Sequence, residues 1–594
     1  MAKFSCSLAF LLAICLATPA LAADLYVDNS LAGNCADYSP GGGCGSGSDQ
    51  AYNTLTEAGN LAVAGDNVLI RAGTYNETLF PQNSGTAGNP ITFRAYDEEY
   101  VQITATPYLD STQWGDKDGW HFGFYMWDKH YITIEGIHFH DITHSWGRAV
   151  HSSNIVVKGN NFTQLGTGGI LKSINFIDCN RISILNNTLD DASDNIALIG
   201  TSYSLIEGNT VTKGGHTLWA IKCGNYNIVR NNHFDNHDQK IGEIYDCHDD
   251  RSHTDQTYFG LLGYNHAKHN LVEGNTFAYT APNDDGGGPY NSIQYAGQEG
   301  IIRNNVFFES HGTALGMANY QEEAMYNLHN RIYNNVFYDN MRGGVVTGGS
   351  SDPTRFTDNL FKNNIFYQNY PGPIGWADNH LSATQISHHD MDNFRFEYNN
   401  IINNGPGEAD VIWDSYNHRI SLADAESTYP LLYGSNIEID PGFEDETVHD
   451  FTLQTGSQMI NAGTFLTIVT SPSGSGSQIT VEDAGYFFDG FGIVGEVGDL
   501  IQLEDQTQTA RILSINYGTN ILTLDTSLDW TAGQGVSLPF SGTKPDMGAF
   551  EFQGSICIDT DTLLGHIDQW KGGSLSMPAL INMIASWKAG TGCP

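Results

Sequence analysis

One short phrase recurs nine times between Gly159 and Ile402, and it restricts the possible folds more than any other feature of this chain. The phrase is a pair of small polar residues followed by apolar ones, as in Asn334-Asn335-Val336-Phe337. Successive copies are 22 to 43 residues apart, and a repeat of this length is typical of a solenoid. The second residues of the copies are Asn161, Asn187, Asn209, Asn232, Asn275, Asn305, Asn335, Asn364 and Asn400.

Each period is built from β-branched and aromatic residues interrupted by Asn and Gly, which indicates strands and turns rather than helix pairs. We therefore predict a parallel β-helix in which the recurring asparagines lie at one inward corner and bond to their copies in neighbouring coils. The interval of 43 residues between Asn232 and Asn275 predicts a coil with an inserted loop. Asn-rich turns of a β-sandwich would explain the composition, but not nine copies in register.

The N-terminus predicts export. Residues 1–22 contain Lys3, an apolar run from Leu8 to Ala17 and a small-residue cleavage site at Ala20-Leu21-Ala22, which is typical of a secretory signal. No other apolar run approaches the roughly 20 residues that a membrane span needs. We expect a protein that is secreted or held at the cell surface, with no membrane span.

Seven cysteines follow the signal. Cys35 and Cys44 are close enough in the sequence to form a disulfide in an oxidising compartment, and Cys557 and Cys593 bracket the tail. The remaining three are Cys179, Cys223 and Cys247. Cys223 and Cys247 are about one coil apart, so we expect them to stack as small buried side chains, with a disulfide between coils as the alternative.

The net charge of −41 makes nucleic acid and anionic membranes poor partners. It suits binding of divalent cations. A polyanionic substrate would need a local basic patch or a bound cation to offset the charge.

The segment before the repeats resembles a known group. Thr54 to Val63 is a predicted helix with Thr54 as its N-cap, and the runs Asp66–Tyr75 and Pro90–Phe93 are predicted strands. This order, with its "AGDNVLIRAGTY" and "NPITFRAY", resembles the opening of β-helical polysaccharide-active proteins of the pectate-lyase-like group. The resemblance implies that residues 23–463 form an all-β, right-handed parallel β-helix, which begins with an N-terminal cap.

Two further segments follow the coils. Residues 464–541 alternate like a small antiparallel barrel, and this insert is either a carbohydrate-binding module or a structural addition. Residues 542–553 are predicted to return as a closing strand of the β-helix. Residues 554–594 contain a helical phrase twice, and because Leu563 stands where a calcium loop needs an oxygen ligand, we predict a helical docking or anchoring module without calcium.

The richest set of candidate functional residues lies between residues 216 and 320. Aromatic rings interleaved with amides and charges are typical of a groove for a sugar chain, because pyranose faces stack on rings while hydroxyls take polar bonds. The candidates for substrate binding are His216, Trp219, Tyr290, Gln294, Tyr295, His311 and Tyr320.

The run from Trp219 to Asn232 resembles a coil of the calcium-dependent alginate lyase and chondroitinase B family. The resemblance implies Lys222 as the base that removes the proton next to a uronate carboxylate, and calcium as the cation that neutralises the carboxylate. The implied ligands lie on and after the next coil. They are Glu243, Asp246 and Asp249.

The family has an arginine on that next coil, where this chain has Ile244-Tyr245-Asp246-Cys247. We therefore assign Arg251 in the inserted loop to this role, with His248 as a further catalytic candidate. Three alternatives stay open: a glycoside hydrolase using Asp246 with Asp249 or Asp250, a glycan-binding surface protein without activity, and a purely structural pair of Lys222 with Asp246.

Overall fold

In the computed structural model the chain forms two long sheets of parallel strands that wind around one core. The described residues are 22–104, 121–142, 145–163, 173–237, 240–245, 266–280, 291–318, 326–348, 353–369, 386–388, 393–403, 411–415 and 418–553, with single positions 564, 567 and 570. Over these residues the prediction of an all-β, parallel β-helix is confirmed.

Sheet A has 17 strands within the described ranges, and all but its N-terminal hairpin pairs are parallel. They are Asp24–Val27, Cys35–Ser39, Gly43–Cys44, Asp49–Tyr52, Asn67–Ile70, Ile91–Ala95, His130–Glu135, Ser153–Lys158, Asn180–Leu185, Leu205–Glu207, Ile228–Arg230, Leu271–Glu273, Ile301–Arg303, Arg331–Tyr333, Asn359–Lys362, Phe394–Glu397 and Tyr433–Gly434.

Sheet B has 22 strands in the same described ranges and receives the chain after each Asn corner. They are Gly73–Tyr75, Val101–Ile103, Phe122–Trp127, His138–His140, Ser145–Val150, Asn161–Thr163, Ile174–Ile177, Thr188–Ile199, Thr210–Lys222, His233–His237, Lys240–Tyr245, Thr276–Thr280, Asn291–Tyr295, Val306–Phe308, Thr313–Ala318, Val336–Tyr338, Val345–Gly348, Ile365–Tyr367, Ile386–His388, Asn400–Ile402, Ile412–Ser415 and His418–Ile420.

Short elements complete the described fold. The helices are Leu55–Leu61 and Leu422–Thr428, and the 3₁₀ turns are Tyr96–Glu98, Pro353–Arg355 and Glu446–Val448. Two small pairs are Asn327–Leu328 with Phe356–Thr357, and Phe443–Asp445 with Asp450–Leu453. The Thr54 hydroxyl accepts from the backbone N–H of Glu57, as the capping pattern predicted.

The predicted asparagine ladder is present at the corner between the sheets. Each buried side-chain amide donates to the amide oxygen of the next coil at 2.9–3.1 Å. The preceding residue has a left-handed backbone, with φ between +53° and +67°, which explains why Gly or Asn usually occupies it. The ladder consists of Asn160, Asn187, Asn209, Asn232, Asn275, Asn305, Asn335, Asn364, Asn399 and Asn436.

The structure corrects the predicted ladder at both ends. Asn160 and Asn399 make the ladder bonds, whereas Asn161 and Asn400 begin the following strands of sheet B. The ladder also continues one coil further than predicted, to Asn436.

The insert forms a six-stranded antiparallel sheet that packs on the outer face of sheet A. Its strands are Thr467–Ile468, Gly474–Thr480, Leu500–Leu503, Thr509–Asn516, Ile521–Trp530 and Gly535–Ser537. Apolar residues of the insert share one cluster with Leu271, Ile301 and Leu360 of sheet A. After the insert, residues 542–553 form no strand, so the predicted closing strand is wrong. In this closing segment, Met547 and Ala549 pack in a separate cluster with apolar residues of sheet B.

The structure confirms the predictions for the cysteines only in part. Cys35 and Cys44 form the predicted disulfide. Cys223 is disulfide-bonded, so the preferred expectation that it would pack as a free side chain is wrong. Cys179 is free and buried.

Several predictions concern parts that the structure does not describe. They include the signal, except its last residue, and the C-terminal helical module, except Leu564, Ile567 and Trp570. No helix in the described part of the chain is both long and apolar enough to cross a membrane.

Candidate functional site

The strand Thr210–Lys222 determines the orientation of the candidate catalytic lysine. Near its end Trp219 and Ile221 point into the core, while Ala220 and Lys222 point outward. In the parallel register, Ala220 lies beside Glu243 and Lys222 lies beside Tyr245 on the next coil. Lys222 and Glu243 are therefore side chains of one outer surface.

The two charged groups are close but do not form a hydrogen bond. Lys222 Nζ lies 3.9 Å from Glu243 Oε2, and the side chains are 27% and 6% exposed. A hydrogen bond between nitrogen and oxygen needs about 2.7–3.2 Å. The ammonium group is thus held near a buried carboxylate and still reaches solvent.

Gln294 continues this surface onto the following coil, because it lies directly beside Glu243 in the register. Its side chain is nearly buried, at 9% exposure. Three of the residues predicted from the sequence, Lys222, Glu243 and Gln294, are therefore brought together.

Two predicted substrate-binding residues are excluded by their burial. Trp219 lies wholly inside the core, where Gly242 on the next coil leaves room for its indole ring. Tyr295 is 1% exposed, and its hydroxyl donates to Asn330 Oδ1. Neither ring can stack on a ligand at the outer surface, so these two assignments are corrected.

His311 lies between two strands of sheet B. Its Nδ1 is buried without a hydrogen-bond partner among the described residues, and burial lowers the pKa of the imidazole. The assignment of His311 to substrate binding stays a prediction.

The remaining candidates cannot be placed. The backbone of His216 belongs to the strand Thr210–Lys222, but its side chain is not described. The others fall outside the described residues and stay predictions; they are Asp246, His248, Asp249, Asp250, Arg251, Tyr290 and Tyr320.

The described residues do not by themselves supply a calcium site. No group of three or more His, Cys, Asp or Glu side chains within the described ranges is arranged to hold a metal ion. Glu243 alone offers too few oxygen ligands for calcium, which takes six to eight. The calcium prediction depends on Asp246 and Asp249 and stays a prediction.

A second asparagine row marks an edge of the site that the sequence reasoning missed. Asn227 donates to Asn270, and Asn330 donates to Asn359, at 3.2 and 2.8 Å. Gly300 occupies the equivalent position on the coil between Asn270 and Asn330, where its N–H donates to Asn330 Oδ1. This row lies at the turn that leads from sheet B back to sheet A.

Four residues before each member of this row, the coils carry Cys223, His266, Ala296, Tyr326 and Arg355. The guanidinium carbon of Arg355 lies 5.4 Å from the centre of the Tyr326 ring. His266 meets the same ring edge-on at 6.1 Å and also contacts the Gln298 amide. Because Lys222 precedes Cys223, this polar and aromatic row begins beside the candidate base.

We call Lys222, Glu243, Gln294, His266, Tyr326 and Arg355 the sheet B edge. From the coil of Lys222 to that of Arg355 there are four inter-strand steps, or about 19 Å at about 4.8 Å each. Lys222 and Arg355 stand at the two ends, and carboxylate, amide, imidazole and phenol groups lie between them. Such an edge suits an extended polar ligand that runs across the coils.

Comparison with known proteins agrees with the architecture. Residues 122–277 match the family model described as a right-handed β-helix region. The fold is a right-handed parallel β-helix. The match includes the strand Thr210–Lys222 and ends before Tyr326 and Arg355.

One curated relative is an uncharacterised protein of Bacillus subtilis (strain 168), YwoF. It is 35% identical over 127 residues, which are 20% of this chain and 26% of the relative. This chain therefore spans about a quarter of the length of the curated relative that it matches.

Two solved structures illustrate the range of similar proteins. The PL6 family alginate lyase AlyGC is 14% identical, with a TM-score of 0.37 over 68% of this chain and 56% of its own. The GH136 lacto-N-biosidase from Eubacterium ramulus is 11% identical, with a TM-score of 0.39 over 70% of this chain and 68% of its own. At these scores neither likeness bears on the function of this chain.

Proposed function

We propose that this protein is active on polysaccharides and that it cleaves an acidic, uronate-containing chain by β-elimination, with Lys222 as the base. One observation carries the proposal. Lys222 points outward, reaches solvent and lies 3.9 Å from the buried Glu243 carboxylate, at the start of the row formed by His266, Tyr326 and Arg355.

The reaction needs a base and a way to offset charge. In its neutral form, Lys222 Nζ takes the proton from the carbon next to the uronate carboxylate, and the C–H electron pair forms a double bond to the adjacent carbon. The bond from that carbon to the glycosidic oxygen breaks, and the leaving oxygen takes a proton from solvent. The Glu243 carboxylate lies close to the Lys222 ammonium group but accepts no hydrogen bond from it.

The sheet B edge favours a polymer over a small substrate. An edge of about 19 Å offers contacts to several sugar units in succession. Tyr326 supplies a ring face, and Arg355 supplies a guanidinium group that can pair with a carboxylate. The Arg355 guanidinium provides local positive charge that favours a polyanion on a protein of net charge −41.

In this proposal, calcium is the cation that offsets the charge of the substrate. It would supply the offset for the substrate carboxylate, with Glu243 as one ligand and Asp246 and Asp249 as the others proposed. A rate that is unchanged by a calcium chelator would leave this task to the protein's own cations.

The experiment follows ultraviolet absorbance during incubation of the full chain with alginate, pectate and chondroitin sulfate, with calcium or with a chelator. β-Elimination creates a conjugated double bond that absorbs, so we expect the absorbance to rise with at least one of the three polymers. New reducing ends without absorbance would replace this proposal with hydrolysis by paired carboxylates. No product in either assay would contradict enzymatic action on these polymers.

We also propose that the protein acts outside the cell, because a polysaccharide chain does not cross a membrane. The predicted signal in residues 1–22 and the disulfide between Cys35 and Cys44 support an oxidising compartment. We also propose that residues 554–594 dock the protein at the cell surface. Deletion of residues 554–594 should move the protein from the cell-bound fraction to the medium, and unchanged fractionation would contradict docking.

A further inference from the structure

A second candidate site lies on the outer surface of sheet A, between that sheet and the insert. Side chains of the sheet A strands Arg331–Tyr333, Asn359–Lys362 and Phe394–Glu397 form one wall, and the insert forms the other. The cavity between them measures about 550 Å³. Binding sites for small molecules have volumes of about 300–1,000 Å³ and commonly lie where two structural units meet.

The walls of this junction cavity are held in place by buried ion pairs. Arg303 on sheet A binds both oxygens of Asp499 on the insert, at 2.8 and 2.6 Å, and is 2% exposed. Arg230 pairs with Glu496 at 2.8 Å. A site whose walls are fixed in this way does not have to be ordered when a ligand enters.

Two arginines of the cavity are already occupied by carboxylates. Arg331 binds Asp483 of the insert and Asp358 of sheet A, both at 2.7 Å. Arg395 binds Asp358 at 2.9 Å and Glu397 at 3.3 Å. These groups hold the walls together and leave little of their hydrogen-bonding capacity for a ligand.

Lys362, in contrast, still has N–H donors that a ligand can use. Its ammonium group donates to the carbonyl of Leu466 at 3.2 Å and lies 5.2 Å from the centre of the Tyr486 ring. A lysine has three N–H donors, so two are unused by the described residues. Burial lowers the pKa of Lys362, while the Glu397 and Asp483 charges oppose that shift.

The charges of the lining restrict the class of ligand. Five carboxylates face two arginines and one lysine, which disfavours an anion. No three His, Cys, Asp or Glu side chains of the described part of the chain are grouped to hold a metal ion, which disfavours a bound cation. A neutral ligand with many hydroxyl groups fits, because each hydroxyl both donates to carboxylates and accepts from an ammonium group.

We propose that the junction cavity binds one or two units of a neutral saccharide, with Lys362 donating to its hydroxyls and Glu397 and Glu482 accepting from them. The phenol ring of Tyr517 also lines the cavity and offers apolar surface to a sugar ring. The insert would then bind carbohydrate at its junction with the β-helix. This site is separate from the sheet B edge and does not depend on its chemistry.

Saturation-transfer NMR on the full chain tests this proposal, with cellobiose, maltose and lactose as probes. We expect at least one disaccharide to receive signal from the protein, and we expect Lys362→Met and Glu397→Gln each to weaken its affinity about fivefold, as the loss of one hydrogen bond predicts. Lys213→Met, on the surface of sheet B beside Asp190, is the matched control and should bind as the wild type does. Lys222→Ala should also bind normally, which separates this test from that of the lyase proposal.

The opposite results are equally specific. No transfer to any of the three disaccharides, or equal affinity in wild type, Lys362→Met and Glu397→Gln, would overturn the proposal. Binding that is lost in Lys222→Ala would place the sugar at the sheet B edge and overturn it as well. Lys362→Met removes a contact to the insert, so the thermal unfolding of this variant is measured as well. If Lys362→Met does not fold, the affinity of Glu397→Gln, at a partly exposed side chain, decides the test.

Discussion

The outer faces of the two sheets use charged side chains in opposite ways. On sheet A, Arg303 is 2% exposed and both of its terminal nitrogens bind Asp499 of the insert. On sheet B, Lys222 is 27% exposed and lies beyond hydrogen-bonding distance of Glu243. One scaffold thus presents a face where cations fix a second unit in place and an edge where a cation stays accessible to a ligand.

The largest effect on stability is expected from the loss of the buried ion pair between sheet A and the insert. Arg303→Met leaves Asp499 and Glu273 without their shared partner in a buried setting, which should lower the free energy of unfolding by about 3–5 kcal/mol. Arg395→Met is the control, because its ion pairs are 37% exposed on the arginine side and should be worth at most about 1 kcal/mol. Denaturation in urea measures both, and equal losses would contradict a special role of the buried pair.

A smaller effect is expected at the corner that joins the two sheets. Asn160→Ala removes a buried ladder member and should cost about 1–3 kcal/mol, because Asn187 loses a donor and the backbone N–H of Ile137 loses its acceptor. The neighbouring Asn161→Ala should cost less, since the Asn161 oxygen has no hydrogen-bond partner among the described residues. If Asn161→Ala were the more damaging of the two, the assignment of Asn160 to the ladder would be wrong.

The smallest effect concerns the closing segment, which covers apolar side chains of sheet B. Burial and the Asp546 charge raise the pKa of Glu551 to about 7. Because this folded-state pKa lies above the unfolded value, the folded state holds the proton more tightly, and the contribution to stability is present below about pH 4.5 and is lost as the pH rises through 7. Partial exposure limits this contribution to about 1 kcal/mol.

Glu551→Gln should remove that part of the pH dependence. Thermal unfolding between pH 5 and 8 should show a shallower fall in stability for Glu551→Gln than for wild type. Glu98→Gln, at an exposed carboxylate, should keep the wild-type slope. Identical slopes for wild type and Glu551→Gln would show that Glu551 does not hold a proton in the folded state.

The repeat made the coil architecture and the ladder predictable, because each coil places the same small polar pair at the same corner. The ends were misassigned because Asn160-Asn161 and Asn399-Asn400 offer two asparagines, and only the left-handed backbone of the residue before the ladder identifies the correct one. In both cases that residue is not an asparagine: Gly159 stands before Asn160 and Tyr398 stands before Asn399.

Side-chain direction was the weaker part of the prediction for the site. Adjacent residues of a strand face opposite sides, so Gln294 and Tyr295 cannot both line a groove. By the same rule an outward Lys222 requires an inward Trp219, three positions earlier. Both errors arose because aromatic residues were chosen by type and not by their position relative to an outward polar residue.

The second Asn row was missed for a different reason. Gly300 interrupts it, so Asn227, Asn270, Asn330 and Asn359 do not form an even series in the sequence. Without this row nothing aligned His266, Tyr326 and Arg355 with each other. The disulfide of Cys223 was also misjudged, because a spacing of one coil fits stacked thiols as well as a bond between coils.

The most direct test of the central claim compares two lysines that each lie near a glutamate of a neighbouring coil. Lys222 lies 3.9 Å from Glu243 on sheet B, and Lys158 lies 3.2 Å from Glu135 on sheet A. On the polymer that gives the largest rise in absorbance, Lys222→Ala should lower kcat by about 10²–10⁴-fold with unchanged thermal unfolding, whereas Lys158→Ala should keep the wild-type rate. Equal rates for wild type and Lys222→Ala would contradict the claim that the sheet B edge holds the catalytic base.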